Sequence, residues 1–351
     1  MHNPFTVPLR AEVASLPRYI PGRSIVGADK ISSNEMPYPP SVHVIDAAIA
    51  ALASPNRYPD MAATDLTAAL AEHHKVGVEH ICVGTGSSAV LLAALSAVCI
   101  PNAEVIFPWR SFESYPIAVP ASGGKAVPVP LTETGEHDIE AMIAAVTPHT
   151  VALIVCTPNN PTGPALSYSE VENIVRRVPA HVLVIVDEAY IDFATDPQVR
   201  TAIPLIEKYP NVLVMRTFSK AYALAGLRVG YAVAHADLIA AMRALSVPFG
   251  VSAVAQAAAR AALEHQQDMR ERVDEVVAER ERIVTTLRGL GVPVPDTQAN
   301  FYWLPGCDVS FVEACERAGL VVRPFPEGVR VTVGTREQNN RLLAVASEYF
   351  A

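Results

Sequence analysis

Val212-Leu213-Val214-Met215-Arg216-Thr217-Phe218-Ser219-Lys220 carries a β-branched and aliphatic run, preceded by Pro210-Asn211, into two hydroxyls and a lysine. Such a run reads as a buried strand, so one amine sits just past the end of an apolar strand. The chain continues Ala221-Tyr222-Ala223-Leu224-Ala225-Gly226-Leu227-Arg228-Val229-Gly230, which brings a guanidinium into the same segment. A lysine becomes a useful nucleophile only where its surroundings favour the neutral amine or hold it covalently. Thr217, Ser219 and Arg228 are donors suited to a phosphate monoester, because hydroxyls and a guanidinium fork match its oxygens.

Outward from this segment the same pattern repeats. Ile81-Cys82-Val83, Glu104-Val105-Ile106-Phe107, Val151 to Val155 and Val182 to Val186 are short apolar runs, each followed by a polar turn and helical sequence. That alternation predicts an α/β fold, a mainly parallel sheet with helices on both faces. In such sheets ligands sit outside the carboxyl ends of the strands. The residues found there are chemical ones. Gly84-Thr85-Gly86-Ser87-Ser88 precedes a predicted helix from Ala89 to Val98, an arrangement that presents backbone N–H groups to an anion. Asn160 lies between Pro158 and Pro161, which fix its path. Asp187 closes a wholly apolar strand, where a carboxylate is costly unless paired, and a protonated pyridine nitrogen is a natural partner. A lysine beside a phosphate site suggests pyridoxal phosphate. No Gly-x-Gly-x-x-Gly with a following acidic residue opens the chain, which argues against a nicotinamide-binding fold.

Composition narrows the partners. Lys+Arg 27 against Asp+Glu 36 gives a net charge of −9, which offers no electrostatic case for nucleic acid or an anionic membrane. No run of about eighteen apolar residues and no secretory leader pattern is found, so a cytoplasmic protein with small-molecule partners is expected. Cys82, Cys99, Cys156, Cys307 and Cys315 are scattered and mostly within apolar runs. They read as buried free thiols in a reducing compartment, with no metal-ligand spacing. The adjacent His73 and His74 on a predicted helix from Leu66 read as solvated. So does the charge run on the long predicted helix from Asp268 to Leu287.

Ser219-Lys220-Ala221-Tyr222-Ala223-Leu224-Ala225-Gly226-Leu227-Arg228-Val229-Gly230 resembles the cofactor-lysine segment of fold-type I pyridoxal-phosphate aminotransferases, in the branch that holds histidinol-phosphate and aromatic amino acid aminotransferases. The likeness runs from Leu16-Pro17-Arg18-Tyr19 to Val331-Thr332-Val333-Gly334-Thr335-Arg336-Glu337. It implies an N-terminal arm over 1–30, a large cofactor domain over 31–248 and a smaller α+β domain over 249–351. It implies further that Lys220 carries the cofactor and acts as general base, that Asp187 faces the ring nitrogen, and that Asn160 and Tyr190 bond the ring oxygen. Phe112 would stack on the ring, where the family more often has tyrosine. Gly86, Ser87, Ser88, Thr217, Ser219 and Arg228 would hold the phosphate. Ser88-Ala89 stands where the family has an acidic pair, so backbone and hydroxyl must supply that contact. Tyr58, in Arg57-Tyr58-Pro59, would come from the partner subunit of a homodimer with shared active sites. Arg330 in Arg330-Val331-Thr332-Val333-Gly334 would bind a substrate α-carboxylate, with Arg323, Tyr19 and Asn34 nearby; Met36 departs from the family's Asn-Glu-Asn-Pro loop.

The implied activity is transfer of an amino group between an amino acid and a 2-oxo acid. Trp109 to Tyr115 and Gln298 to Pro305 look more like the actinobacterial aromatic enzymes than like histidinol-phosphate enzymes. Histidinol phosphate remains the alternative substrate, since the arginines suit either anion. A lyase or decarboxylase on the same cofactor is the alternative of a different class, as chemistry after cofactor attachment depends on which bond stands perpendicular to the ring.

Overall fold

Apolar runs with β-branched residues form the centre of the molecule, because side chains on both faces of each strand find cover. The computed structural model describes residues 22–350 together with Val7, Arg10, Val13 and Leu16. Tyr19 lies outside the described residues. In chain order the strands are β1 (Asp29–Lys30), β2 (Ile81–Gly84), β3 (Glu104–Trp109), β4 (Lys125–Pro130), β5 (Thr150–Cys156), β6 (Leu183–Asp187), β7 (Val212–Thr217), β8 (Gly230–Ala234), β9 (Phe301–Pro305), β10 (Leu320–Val321), β11 (Arg323–Phe325) and β12 (Gly328–Thr332).

Seven of them form one sheet in the order β2-β8-β7-β6-β5-β3-β4. All run parallel except β8, which is antiparallel to both β7 and β2. Alternation along the strands sends Leu153, Val155, Val184, Val186, Val212 and Val214 into one core. Ile154, Cys156, Leu183, Ile185, Leu213 and Met215 enter the core on the other face. Each fully buried aliphatic side chain of this kind contributes about 1.5–3 kcal/mol relative to exposure. Helices cover both faces, and the strand ends are left to carry polar residues.

A second, antiparallel sheet has the order β11-β12-β9. The segment before the first helix joins this part of the chain, for β1 pairs in parallel with β10, and Thr332 N–H donates to Ile31 O at 2.9 Å. The loop after β1 is thereby held over the end of the large sheet. No helix among the described residues is long and apolar enough to cross a membrane.

Four details differ from the sequence reading. The glycine-serine helix spans Ser87–Val98, two residues earlier than its apolar pattern begins, so Ser87 and Ser88 form its first turn. The short strand β11 holds a proline and gives no period to read. His74 is not solvated: its Nε2 lies 2.8 Å from the Tyr231 hydroxyl, and burial pushes its pKa down to about 3. The charge run of the helix Gln266–Gly289 is not wholly a solvated face. Arg280 is buried and donates to the carbonyls of Phe193 and Ala299 at 2.8 and 3.1 Å, while buried Glu279 accepts from Arg282, Arg336 and Asn339.

Candidate active site

A cavity of about 370 Å³ opens at the carboxyl ends of the parallel strands. Its wall includes Ser87, Ser88, Phe112, Asn160, Asp187, Tyr190, Thr217, Ser219, Lys220 and Arg228, residues spread over some 140 positions of the chain. The sheet explains the convergence: β3, β5, β6 and β7 are neighbours, and their carboxyl ends with the turns that follow deliver Phe112, Asn160, Asp187 and Lys220.

One end of the cavity is built for an anion. The helix Ser87–Val98 starts at Gly86 with φ 79°, and the N–H groups of its first turn have no acceptor within the helix. A Cβ on Gly86 would lie 2.6 Å from Arg228 Nη2, and one on Gly230 would lie 2.6 Å from Ser87 N. Neither glycine can be replaced without moving the turn or the arginine away from each other. Arg228 itself sits at φ 56°, with Nη1 donating to Ala225 O at 3.0 Å and to Ser219 Oγ at 3.3 Å. Guanidinium, hydroxyls and backbone donors thus meet where the helix dipole also favours negative charge.

The other end carries a buried acid. Asp187 is 3% exposed; its Oδ2 accepts from the Tyr115 hydroxyl at 2.8 Å and its Oδ1 from Ala189 N at 3.2 Å. Burial raises its pKa to about 6, against the lowering effect of these hydrogen bonds and of Lys220. A carboxylate held this way calls for a cation. Phe112 lines the same region and meets Tyr115 edge to face at 5.6 Å between centroids.

Between the two ends lies Lys220. Its Nζ donates to Ser33 O at 3.0 Å and stands 5.6 Å from the centre of the Tyr190 ring. Burial is the main cause that brings its pKa down to about 7, helped by the positive charges of Arg330 and Arg228 and opposed by Glu35. The amine is therefore available in neutral form near neutral pH. Asn160 is positioned beside it through Arg330, whose Nη1 donates to Asn160 Oδ1 and whose Nη2 donates to Ser32 O at 2.6 Å. That bond uses the amide oxygen, so the Asn160 NH₂ is the group that can serve the cavity. The Tyr190 hydroxyl accepts from Asn34 Nδ2 at 2.9 Å. Asn34, at φ 55°, is locked in turn by Thr332 and Asn300.

Gly86, Asn34 and Arg330 are not in the cavity wall but adjoin it, next to Ser87 or bonded to Tyr190 and Asn160; Tyr58 and Arg323 turn elsewhere. Tyr58 is 82% exposed and stacks on Phe249 at 4.7 Å, so this chain does not bring it to its own site. Arg323 donates to Glu113 Oε2 at 2.7 Å. Sequence reasoning missed Tyr115 as the partner of Asp187, Ser33 as the acceptor of Lys220, and Asn159. Asn159 Oδ1 accepts from Ser111 Oγ at 2.7 Å and its Nδ2 donates to Thr162 Oγ1 at 2.8 Å, fixing the loop that presents Asn160. Only Asn159 left a local sign, its place between the prolines.

The chain is similar to known proteins over nearly its whole length. Residues 30–345 match the family described as aminotransferase class I and II. An aromatic amino acid aminotransferase of Streptomyces avermitilis is 48% identical over 348 residues, covering 97% of both chains, and one of Thermobifida fusca is also 48% identical with the same coverage. Among solved structures, histidinol-phosphate aminotransferase from Sinorhizobium meliloti in complex with pyridoxal-5'-phosphate superposes with a TM-score of 0.88 at 28% identity, covering 97% of this chain and 96% of that one. An aspartate aminotransferase variant of Thermus thermophilus gives a TM-score of 0.85 at 25% identity, covering 98% of this chain and all of its own. With one family spanning nearly the whole chain, and with a lysine, a buried acid and an anion cradle in one cavity, this protein belongs to the class I and II aminotransferases and is a transaminase.

Proposed function

We propose that the chain transfers the amino group of an aromatic amino acid (phenylalanine, tyrosine or tryptophan) to 2-oxoglutarate, or the reverse, with pyridoxal 5'-phosphate on Lys220. The observation that carries the cofactor reading is the donor set of the cavity: Arg228, Ser219 and the Ser87–Ser88 turn at one end, buried Asp187 at the other, and a neutral-leaning amine between. A phosphate dianion fits the first, a protonated ring nitrogen the second, and an aldehyde-derived carbon the third. When bound, pyridoxal phosphate supplies an electron-accepting ring that stabilises negative charge at the substrate Cα.

The chain's own groups do the rest. Asp187 would face the ring nitrogen and favour its protonated form, with Tyr115 orienting its Oδ2. Phe112 offers a flat apolar surface without a hydroxyl. The Asn160 NH₂ and the Tyr190 hydroxyl are the polar groups available to a ring oxygen, Tyr190 being held in place by Asn34. Arg330, in β12, is suited to hold the α-carboxylate in a fork. Fixing that group directs the Cα–H bond, rather than the carboxylate, toward cleavage, which favours transamination over decarboxylation. With the cofactor bound, the Lys220 amine would be the group placed to take the Cα proton as general base and to deliver it as general acid.

The same reading makes the working unit a homodimer in which Tyr58 of the partner subunit reaches the phosphate end. Support comes from an apolar groove of about 700 Å³ that includes Met61, Leu92, Leu245 and Val247, all four exposed. Contiguous apolar surface of this kind marks an interface. Full activity from particles of monomer mass in solution would contradict it.

The preference for aromatic substrates rests on likeness: relatives named for that activity are 48% identical, whereas histidinol-phosphate aminotransferases are structural neighbours at 28%. Steady-state rates with phenylalanine and with histidinol phosphate, 2-oxoglutarate serving as acceptor, test it. The expected result is a higher kcat/KM for phenylalanine; a dominant histidinol-phosphate rate, or release of ammonia or carbon dioxide in place of amino transfer, would overturn it.

A further inference from the structure

Asn159 precedes Asn160 in the chain, is buried, and is not itself in the cavity wall. Its amide oxygen accepts from Ser111 Oγ at 2.7 Å and lies 3.4 Å from His137 Nε2. Its amide nitrogen donates to Thr162 Oγ1 at 2.8 Å and to Arg110 O at 3.2 Å. Two neighbours fix which way the amide points. Arg110 O can only accept, and the Thr162 hydroxyl gives its own proton to Gly135 O at 2.7 Å, so both require the nitrogen. The oxygen then faces two donors, Ser111 and a His137 ring that carries its proton on Nε2, and the donor and acceptor capacity of the amide is filled. Burial brings the His137 pKa down to about 4, so that ring is neutral near pH 7.

These partners belong to different segments. Arg110 and Ser111 stand directly before Phe112 in the turn after β3, Gly135 and His137 lie in the turn after β4, and Thr162 follows Asn160 in the loop after β5. The backbone of Asn159 is held as well, its N–H donating to Pro164 O at 2.7 Å and its carbonyl accepting from Gly163 N at 2.8 Å. One amide therefore ties the turn that ends in Phe112 to the loop that presents Asn160, and both of those residues line the cavity.

We infer that Asn159 is a positioning residue for the cofactor: its amide holds Phe112 and Asn160 at one spacing, so that a pyridine ring meets its stacking face and its oxygen donor together. The inference rests on the proposed cofactor reading. A loop that adjusts on binding could supply either contact alone, but meeting both on one rigid ring requires the two segments to be set relative to each other. Setting them after the ligand arrives costs affinity, and side chains fixed by buried hydrogen bonds avoid that cost. Aspartate at this position would press a carboxylate against two acceptors in a buried place, and alanine would leave Arg110 O and Ser111 Oγ without their partner. The phosphate end of the cavity draws on Arg228, Ser219 and the Ser87–Ser88 turn, none of which bonds Asn159.

The test is equilibrium dialysis of cofactor-free protein against pyridoxal 5'-phosphate, with a phosphorus NMR titration of inorganic phosphate reporting on the Arg228 end. Wild type and Asn159→Ala are compared, each with and without the pair Phe112→Leu/Asn160→Ala. Asn159→Ala is expected to weaken cofactor binding about tenfold and, once the Phe112 and Asn160 contacts are gone, to cost less than about twofold. Its affinity for inorganic phosphate is expected to stay as in wild type. Ser111→Ala, which takes one donor from the amide at less risk to folding, is expected to follow the same pattern at about threefold. Unchanged cofactor affinity in these variants, a parallel loss of phosphate affinity, or an equal loss in both backgrounds would overturn the inference, because a merely destabilised loop acts without regard to Phe112 and Asn160. Failure of the cofactor reading is seen separately, in a wild type that takes up no pyridoxal phosphate, and it would remove this inference as well.

Discussion

Lys220→Ala is expected to lower turnover about 10⁴-fold or more, the upper range for a positioned proton-transfer group, and to abolish the visible absorbance that the loaded protein owes to covalent cofactor. Ser33 O is the acceptor of the wild-type amine, and the removed side chain is only partly buried. The variant should therefore fold and still take up pyridoxal phosphate reversibly through Arg228, Ser219 and the Ser87–Ser88 turn. Near-normal transamination by it would exclude the proposed mechanism. The wild-type amine adds a pH signature. Only neutral amine can bond the cofactor, and the pKa of Lys220 is lowered to about 7, first by burial and then by Arg330. Below that value the rate of covalent uptake should rise about tenfold per pH unit, and above it the rate should level off. An ordinary lysine would keep gaining up to pH 10.

Asp187→Asn is expected to cost about 10²–10³-fold in kcat, the size typical of a lost electrostatic stabiliser. In cofactor-free protein the same change should act in the opposite direction on stability. Burial raises the carboxyl pKa to about 6, so the folded state binds more protons than the unfolded state between about pH 4 and pH 6. Stability linked to this group is present at low pH and lost as pH rises through 6, on the order of 3 kcal/mol by pH 7. Asparagine has no charge to bury. The cofactor-free variant should melt at or above the wild-type temperature at pH 7, while loading with pyridoxal phosphate should stabilise wild type more than the variant. Thermal melts of the four samples read this directly; a variant less stable without cofactor and fully active with it would reverse the assignment.

What the sequence discloses is what is local. Val182 to Val186 followed by Asp187, or Val212 to Met215 followed by Ser219 and Lys220, carry both a strand and its chemical terminus within a few residues, so sheet class and site position follow together. The partners of those residues are not local. Tyr115 and Asp187 are 72 positions apart and Lys220 and Ser33 are 187 apart; only the strand order β5 between β3 and β6 brings the first pair together. Arg323 is visible in the sequence, but its place beside Arg330 is hidden for another reason. Its strand β11 is three residues with a proline at the middle, too short for a period, and without the strand the register against Arg330 has no sign in the sequence. His74 misleads by its neighbour: two adjacent histidines look solvated, yet one faces Tyr231 across the helix–sheet boundary.

The central claim is that one amine, Lys220, carries the cofactor in a cavity bounded by Asp187 and Arg228. Sodium borohydride treatment of pyridoxal-phosphate-loaded protein, followed by proteolysis and mass mapping, tests it most directly. The account predicts a single pyridoxyl-phosphate adduct on the peptide that contains Lys220; an adduct on another lysine, or none on protein that is active, would contradict it.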